Sequence, residues 1–241
     1  MMDKNTVKKL QNFEKMFSVN NYFGNAGTDE VFSYTKNNSY VCLNAPHSTK
    51  STANKHIKKS DMFTGGIVKY LGETCQLSYV VRNKYIDRKC LINSFIAENH
   101  LEKHYFLDIH AMKDRSFDLA VGIGYCSLRD YEKELDFIKK LCQKYKLKYV
   151  INHPSYTGQA GLVGRMQKEL AQATAIQLEW TRKYRDFNEN PSEVLDVTLP
   201  FIKELALYLN NLQKPKLKRK ICVRCKLWQK LKNRFRYLFY C

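Results

Sequence analysis

No stretch of about 18 apolar residues occurs in this 241-residue chain, which excludes a membrane-spanning helix. No apolar h-region opens it either. Met1-Met2-Asp3-Lys4-Asn5 runs straight into a charged amphipathic segment, so a secretory signal is not expected and a cytoplasmic protein is. Disulfide spacing is also missing. Of the eight cysteines, Cys42, Cys75, Cys90, Cys126 and Cys142 are scattered, several in or beside apolar runs, and read as buried thiols. Acidic residues are absent from 211–241, which holds eleven Lys or Arg and leaves the first 210 residues only +7 of the net +18. A uniformly basic protein would point to nucleic acid throughout; here most of the excess is a tail. There is no internal repeat. Hydrophobic content of 44% and aromatic content of 13% suit a globular protein, and the length suits one full α/β domain or two small ones.

Apolar positions Val7, Leu10, Phe13 and Phe17 give an N-terminal helix over 6–18. Residues 30–36 and 39–45 read as two strands around the turn Lys36-Asn37-Asn38, followed by an aperiodic polar loop from Ser48 to Lys59. A helix is expected from Ser60-Asp61 to about Tyr70, with Ser60 as N-cap. Strand-like runs recur at 76–81, 104–110, 118–124, 148–152 and 174–181, with helices at 130–146 and 191–212. Strands alternating with helices imply an α/β layer with a mixed, largely parallel sheet. The composition breaks near Lys214-Pro215, which divides the chain into a domain over 1–212 and a basic tail over 213–241.

In such sheets ligands gather beyond the carboxyl ends of the strands. His47 follows one strand, Asp108 and His110 close another, and Asn152 and His153 a third. Glu179 stands inside a fourth among Ile176, Leu178 and Trp180, where an acid is costly unless it is paired or working. Strict alternation also permits a solvated strand face of Gln177, Glu179 and Thr181. Histidines and acids at strand ends form a set that zinc chemistry can use.

Five pieces in order carry a resemblance. They are Asn44-Ala45-Pro46-His47-Ser48, Ser60-Asp61, Leu107-Asp108-Ile109-His110-Ala111-Met112, Asn152-His153-Pro154-Ser155-Tyr156-Thr157-Gly158 and Ile176-Gln177-Leu178-Glu179-Trp180. Together, across roughly residues 40 to 186, they resemble the N-formylglutamate amidohydrolase family, which is related to carboxypeptidase-like zinc hydrolases. The resemblance implies a phosphorylase/hydrolase-like fold and one Zn2+ per chain, with His47, Asp61 and His110 as ligands. It makes Glu179 the general base toward the attacking water. Asp61 has a competing role as a residue of a helix's first turn, where negative charge is favoured. Asp108, two residues before His110, shares its strand face and stands near the metal. Family substrates carry a carboxylate, for which an arginine fork is suited. Arg88 and Arg182 are the preferred candidates over Arg82 and Arg165, with Asn152 and Tyr156 also toward substrate. Three departures stand out: Lys50 replaces the glutamate that carboxypeptidases place three residues after the first His, Ser155 lengthens the loop before Tyr156, and Tyr85-Ile86-Asp87-Arg88 lacks an expected Asn.

From Leu217 to Leu238 apolar residues recur every three or four positions among Lys and Arg, an amphipathic basic helix by its pattern. Over 214–241 it suits an anionic membrane surface, a nucleic acid or simple docking on the domain. Cys222 and Cys225 have half of a zinc-ribbon spacing, with only Cys241 following. The sequence therefore reads as a zinc amidohydrolase of a small carboxylate-bearing amide such as an N-acyl amino acid. The rival is a nucleic-acid or membrane-surface binder acting through its tail. Oligomeric state is left open.

Overall fold

The computed structural model describes residues 3–53, 56–87, 95, 96, 98, 105–169 and 174–212. Arg88, Cys90, His100, His104 and the tail 213–241, with its apolar stripe and its cysteines, lie outside the described residues.

Helix α1 (Lys4–Tyr22) starts where Asp3 accepts the N–H groups of Asn5 and Thr6 at 3.0 and 3.3 Å. It loses helical angles at Val19–Asn21, where Asn20 and Asn21 take positive φ. Strands β1 (Phe32–Thr35), β2 (Val41–Ala45), β3 (Ser51–Ala53) and β4 (His56–Lys58) precede α2 (Thr64–Thr74). Then come β5 (Ser78–Arg82), β6 (Tyr105–Ala111), β7 (Leu119–Gly122), α3 (Glu132–Lys144), β8 (Tyr149–Ile151), α4 (Leu162–Glu169) and β9 (Thr174–Trp180). A helical turn at Pro191–Glu193 passes through a π-helical stretch, Val194–Thr198, into α5 (Leu199–Asn211).

Seven strands form one sheet in the order β1-β5-β2-β6-β9-β7-β8. The neighbours β5, β2, β6 and β9 run parallel, as do β7 and β8, while β1 on β5 and β7 on β9 are antiparallel. The expected mixed, largely parallel sheet flanked by helices is thus observed. β1 and β2, which flank the Lys36–Asn38 turn, do not pair, because β5 lies between them. Asn37 anchors that turn on β5 instead, donating to the Leu77 carbonyl at 2.9 Å and receiving Ser78 Oγ on its own carbonyl at 3.1 Å.

Two more local readings change. The segment Ser48–Lys59 holds the small antiparallel β3–β4 pair, whose three-residue strands are too short to show a period. Helix α2 begins at Thr64, so Ser60 is not its N-cap; Phe63 occupies that position with a left-handed φ of 73° and no side-chain cap. The cap comes from another element. Glu14 of α1 accepts the N–H groups of Phe63 at 2.7 Å and Gly66 at 2.8 Å, and the Tyr22 hydroxyl at 2.9 Å. A buried carboxylate at a helix N-terminus satisfies groups the helix itself leaves unpaired.

The two sheet faces differ. On one, Val41, Leu43, Leu107, Ile109, Ile176, Leu178 and Trp180 join Leu10 and Phe17 of α1, Ile67 of α2, Ile138 of α3 and Leu205 of α5 in the main core. On the other, Cys42, Phe106 and Ala175 pack under Leu162, Val163 and Met166 of α4. That second face turns polar along each central strand: Cys42 gives way to Asn44, Phe106 to Asp108 and His110, and Ala175 to Gln177 and Glu179. Parallel strands with common register turn this switch into a polar patch at their carboxyl ends. Of the described cysteines, Cys42 and Cys142 are buried and Cys75 and Cys126 half-buried, all reduced.

Burial pushes the Glu14 carboxyl up from 4.5 to about 7 despite its three donors. The folded state therefore holds this proton more tightly than the unfolded chain does. Its contribution to stability is full below about pH 4.5 and is lost as pH rises through about 7. Glu14→Ala should cost on the order of 3 kcal/mol in urea denaturation, since it orphans two amides and a phenol. The wild-type-minus-variant difference should shrink between pH 4.5 and 7. A difference flat across that window would show that the carboxyl does not titrate there.

Candidate metal centre

The polar patch is ordered in rows. Asn44, Asp108 and Gln177 are register partners across β2, β6 and β9, and in the next row His110 faces Glu179. Asp108 is fully buried; its Oδ1 accepts from Asn44 Nδ2 at 2.6 Å and its Oδ2 lies 2.9 Å from His110 Nε2. The other ring nitrogen, Nδ1, lies 2.8 Å from Asp61 Oδ2. His110 is thus held by a carboxylate at each end. His47 closes the group, its ring centroid 5.3 Å from that of His110 and its Nδ1 3.2 Å from Ser51 Oγ. The His47 carbonyl receives the Asp61 N–H at 2.7 Å, which pins the Asp61 loop to the end of β2. Glu179 Oε1 accepts from Gln177 Nε2 at 2.9 Å.

These placements set the charges. Burial lowers the His47 imidazole well below its usual value, so it is neutral. Burial acts the same way on His110, but the Asp108 charge and the hydrogen bonds to Asp108 and Asp61 overcome it and hold the ring protonated. Burial pushes the Asp61 carboxyl up, yet the bond to His110 and the neighbouring imidazoles bring it down to about 2. Glu179 goes the other way: burial raises it to about 7, against the pull of His110. Two acids in one site, sharing His110 as a neighbour, end about five units apart.

Three segments meet around this centre because Arg185 ties them. Its Nε donates to the carbonyl of Trp180 at 3.3 Å, Nη1 to Met62 at 3.2 Å and Nη2 to Met112 at 3.4 Å. The ends of β9 and β6 and the Asp61 loop thus share one guanidinium fork. On the far side, Asn152–Gly161 lies over β7 and Gln177. A Cβ at Gly122 would meet the Tyr156 carbonyl at 2.6 Å, so only glycine admits the loop there.

His47, Asp61, His110 and Glu179, widely separated in the chain, therefore stand together, with Asp108 behind them. Asp61 precedes the helix it was expected to enter, and its carboxylate turns to His110. Gln177 and Thr181 are buried, so the Glu179 face is not a solvated strand face. The substrate-side candidates are placed differently. Asn152 has φ 52°, and its Oδ1 accepts the Ile123 N–H at 3.0 Å. The Tyr156 ring packs on His153 and Phe117, and its hydroxyl accepts from Arg115 at 3.4 Å. Arg182, 59% exposed, binds Asp186 at 2.9 Å. Sequence reasoning passed over Asn44 and Arg185. A fully buried Asn inside the apolar run Val41–Ala45 was a usable signal; Arg185 gave none beyond its nearness to Glu179.

Among the described residues no three His, Cys, Asp or Glu side chains are grouped closely enough to enclose a metal ion. The donor set nevertheless fits one. A proton shared between His110 Nδ1 and Asp61 Oδ2 occupies the lone pairs that a cation would take. An ion held by these two residues would replace that proton, so the 2.8 Å contact would have to open to admit it. Asp108 on Nε2 is the outer carboxylate that orients a metal-binding imidazole.

No protein-family model matches the chain, and no curated protein matches it in sequence. Solved structures do match it. A bacteriophage poly-gamma-glutamate hydrolase is similar at 14% identity over 77% of this chain and 93% of that one, with a TM-score of 0.53. A gene product of Agrobacterium tumefaciens is similar at 10% identity over 78% and 97%, with a TM-score of 0.52. The N-formylglutamate amidohydrolase of Ralstonia eutropha JMP134 follows at 11% identity over 75% and 98%, with a TM-score of 0.49. The likeness is one of fold.

Replacing Arg185 by Met keeps the length of the side chain and removes the fork. We expect a loss of about 1–3 kcal/mol in urea unfolding, as three carbonyls lose a charged donor. Hydrogen exchange should rise first at the Asp61–Phe63 loop and the Met112 and Trp180 strand ends. Unchanged exchange at those segments would refute the tie.

Proposed function

We propose that this protein is a metal-dependent amidohydrolase that cleaves the amide of a carboxylate-bearing substrate, such as an N-acyl amino acid. The observation that carries the reading is His110 held between Asp61 and Asp108, with Glu179 its register partner on the next strand. His47, Asp61 and His110 would hold the ion, zinc by its mixed imidazole and carboxylate donors. Such an ion, when bound, supplies a Lewis acid for the scissile carbonyl and lowers the pKa of an attacking water toward about 7.

The chain's own residues supply the rest. Asp108 fixes the His110 ring and keeps Nδ1 aimed at the Asp61 side. Asn44 holds Asp108 in turn, so the support extends to a third strand. Glu179, with its carboxyl near 7, takes a proton from the attacking water at its carboxylate and returns it to the leaving nitrogen. The Gln177 amide donates to Oε1 and orients it. The Asn152–Gly161 loop covers the patch from the β7 side and limits water there.

Two features favour an anionic substrate. The chain carries a net charge of +18, with +7 in the domain itself, and a positive field concentrates anions at a cleft. The bacteriophage neighbour, by its name, hydrolyses poly-gamma-glutamate, an amide polymer bearing a carboxylate on each residue. A polymer fragment is thus a substrate form to test beside small N-acyl amino acids. Arg182, Asn152 and Tyr156 remain within the proposed substrate side, with Arg88.

Purified protein should contain about one zinc per chain by elemental analysis. Glu179→Gln should lower turnover by about 10²–10⁴ while keeping the metal, as loss of a proton carrier does. His110→Ala should lose the metal as well as the activity. Normal turnover by the Glu179 variant would remove the assigned role.

A further inference from the structure

The β3–β4 pair was not anticipated in the sequence, and it lies against the metal centre. Ser51 of β3 is buried and its Oγ lies 3.2 Å from His47 Nδ1. In the antiparallel register Ser51 faces Lys58 of β4. Directly opposed residues in such a pair project to the same side, so the Lys58 side chain leaves the pair on the side that touches His47. Lys58 is exposed, and among the described residues its ammonium has no ion-pair partner.

Three arginines near the site already have partners. Arg182 binds Asp186, Arg185 binds three carbonyls, and Arg82 donates to the Pro46 carbonyl at 2.9 Å and lies over the Phe32 ring. A substrate carboxylate approaching the centre from solvent meets Lys58 without having to break an existing bond.

We infer that Lys58 is a specificity-determining residue, whose ammonium, carried on the β3–β4 pair beside His47, binds the free carboxylate of the substrate next to the scissile amide. This inference rests on the amidohydrolase reading and adds the group that selects its substrates. A lysine on an exposed short strand is a flexible point charge with a long reach, not a rigid fork. It therefore selects for negative charge near the amide more than for one carboxylate geometry. γ-Linked and α-linked acids would both satisfy it.

The test is a matched panel: N-acyl amino acids and γ-glutamyl oligomers, each offered with a free carboxylate and as the corresponding carboxamide, to the zinc-loaded full chain. The wild type should prefer the carboxylate. Lys58→Ala should lower the carboxylate-to-carboxamide ratio of kcat/KM by about tenfold or more, mainly through KM. Lys58→Glu should lower it further, and Lys58→Arg should restore most of it. If the wild type cleaves the panel and Lys58→Ala leaves the ratio unchanged, the inference fails while the amidohydrolase reading stands. If the zinc-loaded wild type cleaves no member of the panel, that reading falls and Lys58 falls with it.

Discussion

A fully buried aspartate in the middle of a parallel sheet is the constraint around which this molecule is arranged. Asp108 cannot remain charged there without partners, since an isolated buried carboxylate costs several kcal/mol. It has two, the Asn44 amide on one oxygen and His110 on the other. Both partners are dictated by the backbone: Asn44 is its register neighbour on β2, and His110 is two residues on along the same strand. Once His110 is bound through Nε2, its Nδ1 has one direction in which to look, and Asp61 occupies it. The geometry of the centre thus follows from satisfying a single buried charge.

Asp61 reaches that place because other contacts hold its loop. A loop entering a helix normally caps it with its own side chain, but the Asp61 carboxylate is directed to His110 and cannot. Glu14, brought across from α1, takes over the capping and holds Phe63 in its left-handed conformation. The His47 carbonyl and the Arg185 fork tie the same loop to the strand ends. Preorganisation of this kind keeps catalytic groups near their working geometry without reorganisation at the moment of reaction. It also accounts for the buried Glu14 and the half-buried Arg185, since each serves backbone groups around the centre.

Much of this was legible in the sequence, for a definite reason. Polar residues set into or just after apolar strand segments, as His47 follows Val41–Ala45 and Glu179 stands among Ile176, Leu178 and Trp180, mark the carboxyl ends of the strands. Parallel topology then gathers those ends. His47, Asp61, His110 and Glu179 could be collected on that logic and on the family resemblance. The order β1-β5-β2 could not, because nothing in the turn Lys36–Asn38 tells a hairpin from a connection around an inserted strand. The β3–β4 pair and α4 were hidden by their length: three and eight residues carry too few repeats to show a period. Arg182 was favoured because it lies just after Glu179, and Arg185 was not weighed; the short helical turn Arg182–Tyr184 carries Arg185 back to the strand ends.

The divergence of two carboxyl groups then separates their chemistry. Asp61 and Glu179 share His110 as a neighbour, yet one is drawn to about 2 and the other pushed to about 7. The difference lies in hydrogen bonding. Asp61 bonds the protonated imidazole directly and so gains most when ionised, whereas Glu179 receives only the neutral Gln177 amide and bears the cost of burial. A carboxylate that is always ionised suits a ligand; one poised near neutrality suits a proton carrier. Pairs of acids driven apart by their surroundings are how one fold obtains both from the same side-chain chemistry. The proposed division of labour, Asp61 on the ion and Glu179 on the proton, therefore follows from where the nearest proton donors stand, with the roles reversed only if those donors changed places.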